Sequence, residues 1–263
     1  MTAGLLGLSA AKCPGNMLAT VVRPVRPCRG FSNQRYSSAV YFERFTELFS
    51  TRGAVVPLDE ALALICHFFD DSVEPQAVLT GLDELASTIT AASAVELMAD
   101  LFGPGGFTGN SFEYDDPNNS LMHQVIARRL GIPITLCALA IEVGRRVDID
   151  IVGVGMPGHF LCRTASQQDV VFFDPFHSPE PLSAEQCKKL YKHLTQIDNW
   201  SAEFLEPSSS RLMVIRVLSN LKSIYRRRSD LANLRWVMRL RSVIPEIATA
   251  ETVEFAQLMR RSN

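Results

Sequence analysis

The chain has 263 residues, of which 47% are hydrophobic and 21% charged, with a formal net charge of −2. This is the composition of a globular protein long enough to bury a sizeable core, and its slightly acidic balance argues against a general nucleic-acid-binding surface. The sequence has no run of about 18 apolar residues, so no membrane-spanning helix is expected.

The first 40 residues differ from the rest. They carry Lys12, Arg23, Arg26, Arg29 and Arg35, and the first acidic residue is Glu43. This segment reads as a basic leader, either disordered or targeting-like; as a transit peptide it would direct the chain to an organellar matrix. The six cysteines, Cys13, Cys28, Cys66, Cys137, Cys162 and Cys187, form no C-x-x-C pair and no cluster. They suggest neither a disulfide framework nor a zinc site, and scattered thiols fit a cytoplasmic location.

Residues 41–101 read as helices. Phe42, Phe45, Leu48 and Phe49 recur at helical spacing. Pro57, Asp59 and Glu60 mark a helix start, with acids near the positive end of the dipole, and His67 lies in the apolar body that follows, where it reads as a packed core residue. Two shorter helical patterns cover 78–89 and 94–101. Residues 102–120 form a long loop rich in Gly, Pro, Asn and Asp, and loops of this length inside a compact domain are often functional. Asn119 or Ser120 is placed to cap a helix over 121–130, and a second helix runs from about Thr135 to Val147. Three strand patterns follow, at 151–156, 159–164 and 170–174, separated by Pro157-Gly158 and by a polar stretch over 165–169. From Leu182 onward the pattern is helical again. Helices followed by consecutive hairpins predict an α+β fold, with an antiparallel sheet against a buried helix.

Four segments carry a resemblance: GFTGNSFEYDDPNNSL (106–121), RRLGIPITL (128–136), GVGMPGHFL (153–161) and FFDPF (172–176). Their order and spacing resemble the SirB-one family, a branch of the transglutaminase-like superfamily with a papain-like core. LMVIRVLSNLKSIY (212–225) is similar to the start of the helical tail of that family. After the basic leader over 1–40, the resemblance implies a transglutaminase-like domain over 41–205 with a helical N-terminal layer, and a helical, repeat-like tail over 206–263.

The superfamily's chemistry uses a cysteine at a helix N-terminus, then a histidine, then an aspartate. The resemblance places the histidine at His159 and the aspartate at Asp174. Hairpin geometry supports this pair independently. A symmetric hairpin centred between Ser166 and Gln167 sets His159 opposite Asp174 on one face. At the nucleophile the chain departs from the catalytic pattern, because the resemblance puts the cysteine position near Thr135. Residues two apart on a helix point about 200° apart, so Thr135 and Cys137 cannot both face His159. Thr135 shares a side with Glu142, which can reach Arg145 or Arg146. Cys137 shares a side with Ile141 and Gly144, where an inert buried thiol is expected. Thr135 is therefore expected to be the residue that meets the free ring nitrogen of His159, unless it serves only as a helix cap.

Asn110, Asn118 and Asn119 are candidates for substrate binding, or else for turn chemistry. His177 reads as a surface loop residue. Arg226, Arg227, Arg228, Arg235, Arg239 and Arg241 read as an acidic-partner patch or as solvated helix faces. There is no Gly-rich phosphate loop and no metal-ligand spacing, so no cofactor and no metal is expected. Two functions stay open. One is a non-catalytic, regulatory module that binds a protein or peptide, with no nucleic acid and no membrane as partner. The other is a hydrolase or acyl-transferase with Cys137 or Thr135 as nucleophile. A helical-repeat scaffold is a third.

Overall fold

The computed structural model describes residues 37–261. The reading of a basic leader thus falls outside the described residues, apart from its last four. Three of those, 38–40, already belong to the first helix, α1 (Ser38–Phe49). Helices α2 (Leu58–Phe69), α3 (Pro75–Thr88) and α4 (Ala94–Phe102) follow. Each arises from the expected signals. Tyr41, Phe45 and Phe49 line the buried face of α1 at i, i+4, i+8. Pro57 precedes α2, with Asp59 and Glu60 in its first turn. The Ser93 hydroxyl accepts the Glu96 N–H at the start of α4. His67 is buried, with its ring between the Val73 carbonyl at 3.0 Å and the Ser38 hydroxyl at 3.1 Å.

The long loop is shaped by backbone pairing. Strand β1 (Thr108–Gly109) runs parallel to β2 (Leu130–Gly131). Between them lie a short 3-10 turn (Pro117–Ser120) and α5 (Met122–Arg128). This corrects the expected 121–130 helix. Neither Asn119 nor Ser120 caps α5; Leu121 stands at the N-cap, and Arg129, left-handed at φ 55°, ends the helix early. Helix α6 (Pro133–Arg146) is the central one, with every residue from Pro133 to Ala140 buried.

The main sheet has five strands in the order β6-β5-β4-β3-β7. They are β3 (Ile151–Val154), β4 (Leu161–Thr164), β5 (Phe172–Asp174), β6 (Ser178–Leu182) and β7 (Pro207–Ser208), with α7 (Ala184–Thr195) between the last two. All five are joined antiparallel. One face, with Phe160, Cys162 and Phe173, packs into the large core that includes α6. Leu161 and Phe172, on the other face, join Cys187 and Tyr191 of α7 in a second, smaller core. The fold is α+β.

Helices α8 (Ser210–Arg227), α9 (Leu231–Ser242) and α10 (Ala248–Arg261) close the chain. Met213, Val217 and Leu221 of α8 share the large core with α1 to α6. Among the described residues no helix is long and apolar enough to cross a membrane.

Candidate functional site

Two tight turns build the site. The first is Met156-Pro157-Gly158-His159, closed by His159 N–H to the Met156 carbonyl at 3.0 Å. Gly158 sits at φ +79°, the conformation a type II turn demands after proline. This turn delivers His159 just before β4. The second turn, Asp174-Pro175-Phe176-His177, is closed by His177 N–H to the Asp174 carbonyl at 3.1 Å. Within it the Phe176 N–H donates to Asp174 Oδ1 at 3.2 Å, an Asx turn that holds one carboxylate oxygen.

The other oxygen, Oδ2, faces two imidazoles. His159 Nε2 lies 2.9 Å from it and His177 Nδ1 lies 2.7 Å from it. Since one carboxylate oxygen accepts both contacts, each of those ring nitrogens carries the proton. His159 and Asp174 are buried, whereas the His177 side chain is 51% exposed. Burial pushes the Asp174 carboxyl up, but hydrogen bonds and charge from His159 and His177 outweigh it and hold the carboxyl below its usual value. His159 Nδ1 has no hydrogen bond among the described residues.

The register differs from the symmetric hairpin. Cys162 pairs with Phe173 and Arg163 with Phe172, so the direct partner of Asp174 in line would be Leu161, and His159 lies diagonally beyond it. The cause is the loop. The Thr164 hydroxyl donates to the Asp169 carbonyl at 2.9 Å and accepts the Val171 N–H at 3.1 Å, which moves the hairpin centre past Gln167. The shift is even in parity, and a diagonal pair is still within reach of a histidine ring.

The nucleophile candidates fall elsewhere. Thr135 is fully buried, and its hydroxyl donates to the Asn119 carbonyl at 2.7 Å and accepts the Ile132 N–H at 3.1 Å. It is a helix cap and makes no hydrogen bond to His159, contrary to the expectation that it meets the free ring nitrogen. Cys137 is also fully buried, with Sγ 3.7 Å from the Phe160 carbonyl. Burial, then its hydrogen bond with Cys162 and the charges of Cys162 and Asp174, push its thiol well above the ordinary value, and Arg216 only partly offsets this. Cys137 therefore lies beside the strand that follows His159, but as a protonated thiol.

The asparagines are engaged within their own loop. Asn110 Nδ2 donates to Asn119 Oδ1 at 3.1 Å, and Asn119 Nδ2 donates to the Glu113 carbonyl at 2.7 Å. Asn110 Oδ1 accepts the Glu113 N–H at 3.0 Å. Asn118 is held through its backbone, its N–H on Asp116 Oδ1 at 3.0 Å. Asn110 and Asn119 thus use their amides in turn chemistry within the loop.

Sequence reasoning missed three neighbours of the site. His177 is one. Arg216 of α8 is the second: its Nη2 donates to the His159 carbonyl at 2.9 Å and its guanidinium lies 5.5 Å from the Phe160 ring centroid. Tyr114 is the third, 5.8 Å from Phe176, whose ring is in turn 6.2 Å from that of His159. The signal for His177 was its place three residues after Asp174 in a D-P-x-x turn. Arg216 and Tyr114 come from distant segments and left no local signal. A separate cavity of 570 Å³, lined among others by Leu58, Glu60, Ile141, Arg145 and Met213, includes none of these residues.

Gly109 braces the second turn. A Cβ there would lie 2.4 Å from the Phe176 carbonyl oxygen and 2.5 Å from its ring. Gly109→Ala is expected to displace the Phe176–His177 turn and to lower the unfolding free energy by about 1–3 kcal/mol. Chemical denaturation checks this, and an unchanged midpoint would contradict it.

The family model of the transglutaminase-like superfamily matches residues 75–219. A UPF0162 protein of Xylella fastidiosa is 42% identical over 129 residues, covering 48% of this chain and 46% of that protein. A UPF0162 protein of Pseudomonas aeruginosa is 31% identical over 160 residues, covering 57% and 58%. F-box only protein 21 of Homo sapiens is 33% identical over 98 residues, 34% of this chain and 16% of that protein. The chain spans about half the length of the first two relatives. No solved structure matches it. The matched segment runs from α3 to α8 and so contains the central helix, both turns and the whole main sheet. With more than half of its length so matched, the chain belongs to the transglutaminase-like superfamily.

Proposed function

We propose that the chain is a transglutaminase-like module of SirB-one type that binds a protein or peptide without thiol catalysis, in a regulatory role. The observation that carries this reading is the state of Cys137: fully buried and with its thiol pushed far toward the protonated form. The surroundings of His159 keep recognition chemistry. Tyr114 and Phe176 offer aromatic surface, and Arg216 is a half-buried cation that suits a peptide carbonyl or carboxylate. The match to a small part of a much longer F-box protein fits a unit used as a module. The arginines of the tail favour no nucleic-acid partner, because most of them are engaged internally. Arg226 pairs with Glu254, Arg227 with Asp115 and Arg241 with Glu251, and Arg239 lies over the Phe42 and Trp236 rings. Among the described residues, four free, buried thiols suit a reducing compartment such as the cytoplasm.

A second reading rests on the 2.9 Å contact between His159 and Asp174. An oriented imidazole with a free second nitrogen is what a hydrolase or acyl-transferase needs as general base. One experiment separates the two. Peptides selected by display on the full chain are tested for binding and for turnover, together with a small ester substrate. Binding that falls at least about 10-fold in Tyr114→Ala or Arg216→Ala, with no turnover, is the expected result. Ester or amide turnover abolished by His159→Ala would replace it with the hydrolase reading.

A further inference from the structure

Asp174 Oδ2, His159 Nε2 and His177 Nδ1 all lie within 4.8 Å of one another. Two imidazole nitrogens and one carboxylate oxygen are the ligand set favoured by divalent cations of borderline softness, zinc above all. Bonds of about 2.0–2.2 Å in a tetrahedral shell put ligand atoms roughly 3.4 Å apart. The present contacts to Asp174 Oδ2 are 2.9 and 2.7 Å, so each has to lengthen by less than about 1 Å, while the two imidazoles, no more than 4.8 Å apart at their ligand atoms, adjust to the same spacing.

The surroundings suit that role. Asp174 Oδ1 is fixed by the Phe176 N–H at 3.2 Å, leaving Oδ2 to face the cluster. The His159 backbone is tied at both ends, by its N–H to Met156 and by its carbonyl to Arg216 Nη2. Such outer contacts orient metal ligands. His177 is the adjustable arm, half exposed at the end of its turn, and its open side leaves room for a fourth ligand such as water. To bind, each imidazole moves its proton to the other ring nitrogen. For His159 that nitrogen is Nδ1, which has no hydrogen bond to lose among the described residues.

We propose that His159, Asp174 and His177 form a three-ligand site for a divalent cation of the zinc class. This holds whether or not the chain binds a peptide. The test uses the full chain, free of any affinity tag and first stripped with a chelator. Zinc is titrated by calorimetry, and cobalt by its visible d–d absorption. One equivalent per chain is expected, with a dissociation constant in the micromolar range or tighter and a tetrahedral cobalt spectrum. His177→Ala is expected to weaken binding by at least about 10-fold; its side chain is half exposed, so the fold should persist, as checked by circular dichroism. Asp174→Asn should weaken it at least as much, and His193→Ala, an exposed histidine outside the cluster, should leave it unchanged. Failure to bind either cation saturably would overturn the proposal. So would equal affinity in the wild type and His177→Ala, or equal weakening by His193→Ala.

Discussion

Arg146→Met is expected to lower the unfolding free energy by about 3–5 kcal/mol, the cost of breaking a buried ion-pair network that the half-exposed Arg145, 2.8 Å from both Asp59 and Glu142, sustains only in part. Arg146 is 1% exposed, the largest side chain to be so fully buried among the described residues. Its Nη2 meets Asp59 Oδ2 at 2.9 Å, its Nη1 meets Glu142 Oε2 at 3.0 Å, and its Nε meets Asp83 Oδ1 at 2.6 Å. One guanidinium therefore ties α2, α3 and α6 together. Asp59 and Glu142 are 5% and 3% exposed, so water cannot replace it. Burial first, and then the charge of Asp59, already raise the Glu142 carboxyl above its ordinary value, against the pull of Arg145 and Arg146. Removing Arg146 raises it further. A carboxyl whose folded pKa is raised loses its stabilising contribution as pH rises through that value. The deficit of Arg146→Met should therefore be largest at neutral pH and shrink as pH falls toward the unfolded carboxylate value of about 4. Urea denaturation across that range measures it. Arg227→Ala, which removes an ion pair exposed on both sides, should cost less than about 1 kcal/mol. Equal costs for the two variants, or a pH-independent deficit, would contradict the account of the network.

The elements with strong local patterns were legible before the structure. Helices α1 to α4, the central helix and strands β3 to β5 follow from apolar period, acids near a helix start, and turn residues. Strand β6 was not legible, because its sequence, SPEPL, carries two prolines. It is tolerated as an edge strand, where half of the backbone donors face away from the sheet. The short β1–β2 ladder was hidden for another reason: two-residue strands have no period, and their partners are 22 residues apart.

At the site, His159 and Asp174 could be singled out and are found 2.9 Å apart. The choice between Thr135 and Cys137 was framed by helix angles alone. Angle decides which way a side chain leaves the axis, but not what the first turn of a helix does with its unpaired N–H groups. Thr135 folds back onto Ile132 N–H and takes the Asn119 carbonyl with its proton, a capping role that competes with any outward task. Asn119 shows the same limit. Its partners Asn110 and Glu113 lie in one loop, yet only the closed loop reveals that the amide is fully engaged. Arg216 and Tyr114 reach the site from α8 and from the loop before α5, and only tertiary packing brings them there.

Alkylation of Cys137 by iodoacetamide, followed by mass spectrometry of its peptide, tests most directly whether this site works without a thiol. The thiolate is the reactive species. A free cysteine near pKa 8.5 supplies a few per cent of it at pH 7. Cys137 has less, because burial and the neighbouring Cys162 and Asp174 all disfavour the charge, and no atom of it is open to solvent. Reaction must then wait for the core to open, which places it near the stable end of the exchange scale. The expected result is that Cys137 stays unmodified in the native protein at pH 7 while the denatured chain is alkylated at once, and that Arg146→Met, by lowering stability, speeds the native reaction. Native Cys137 reacting as fast as a free thiol, or faster, would contradict the account and revive the thiol-enzyme reading.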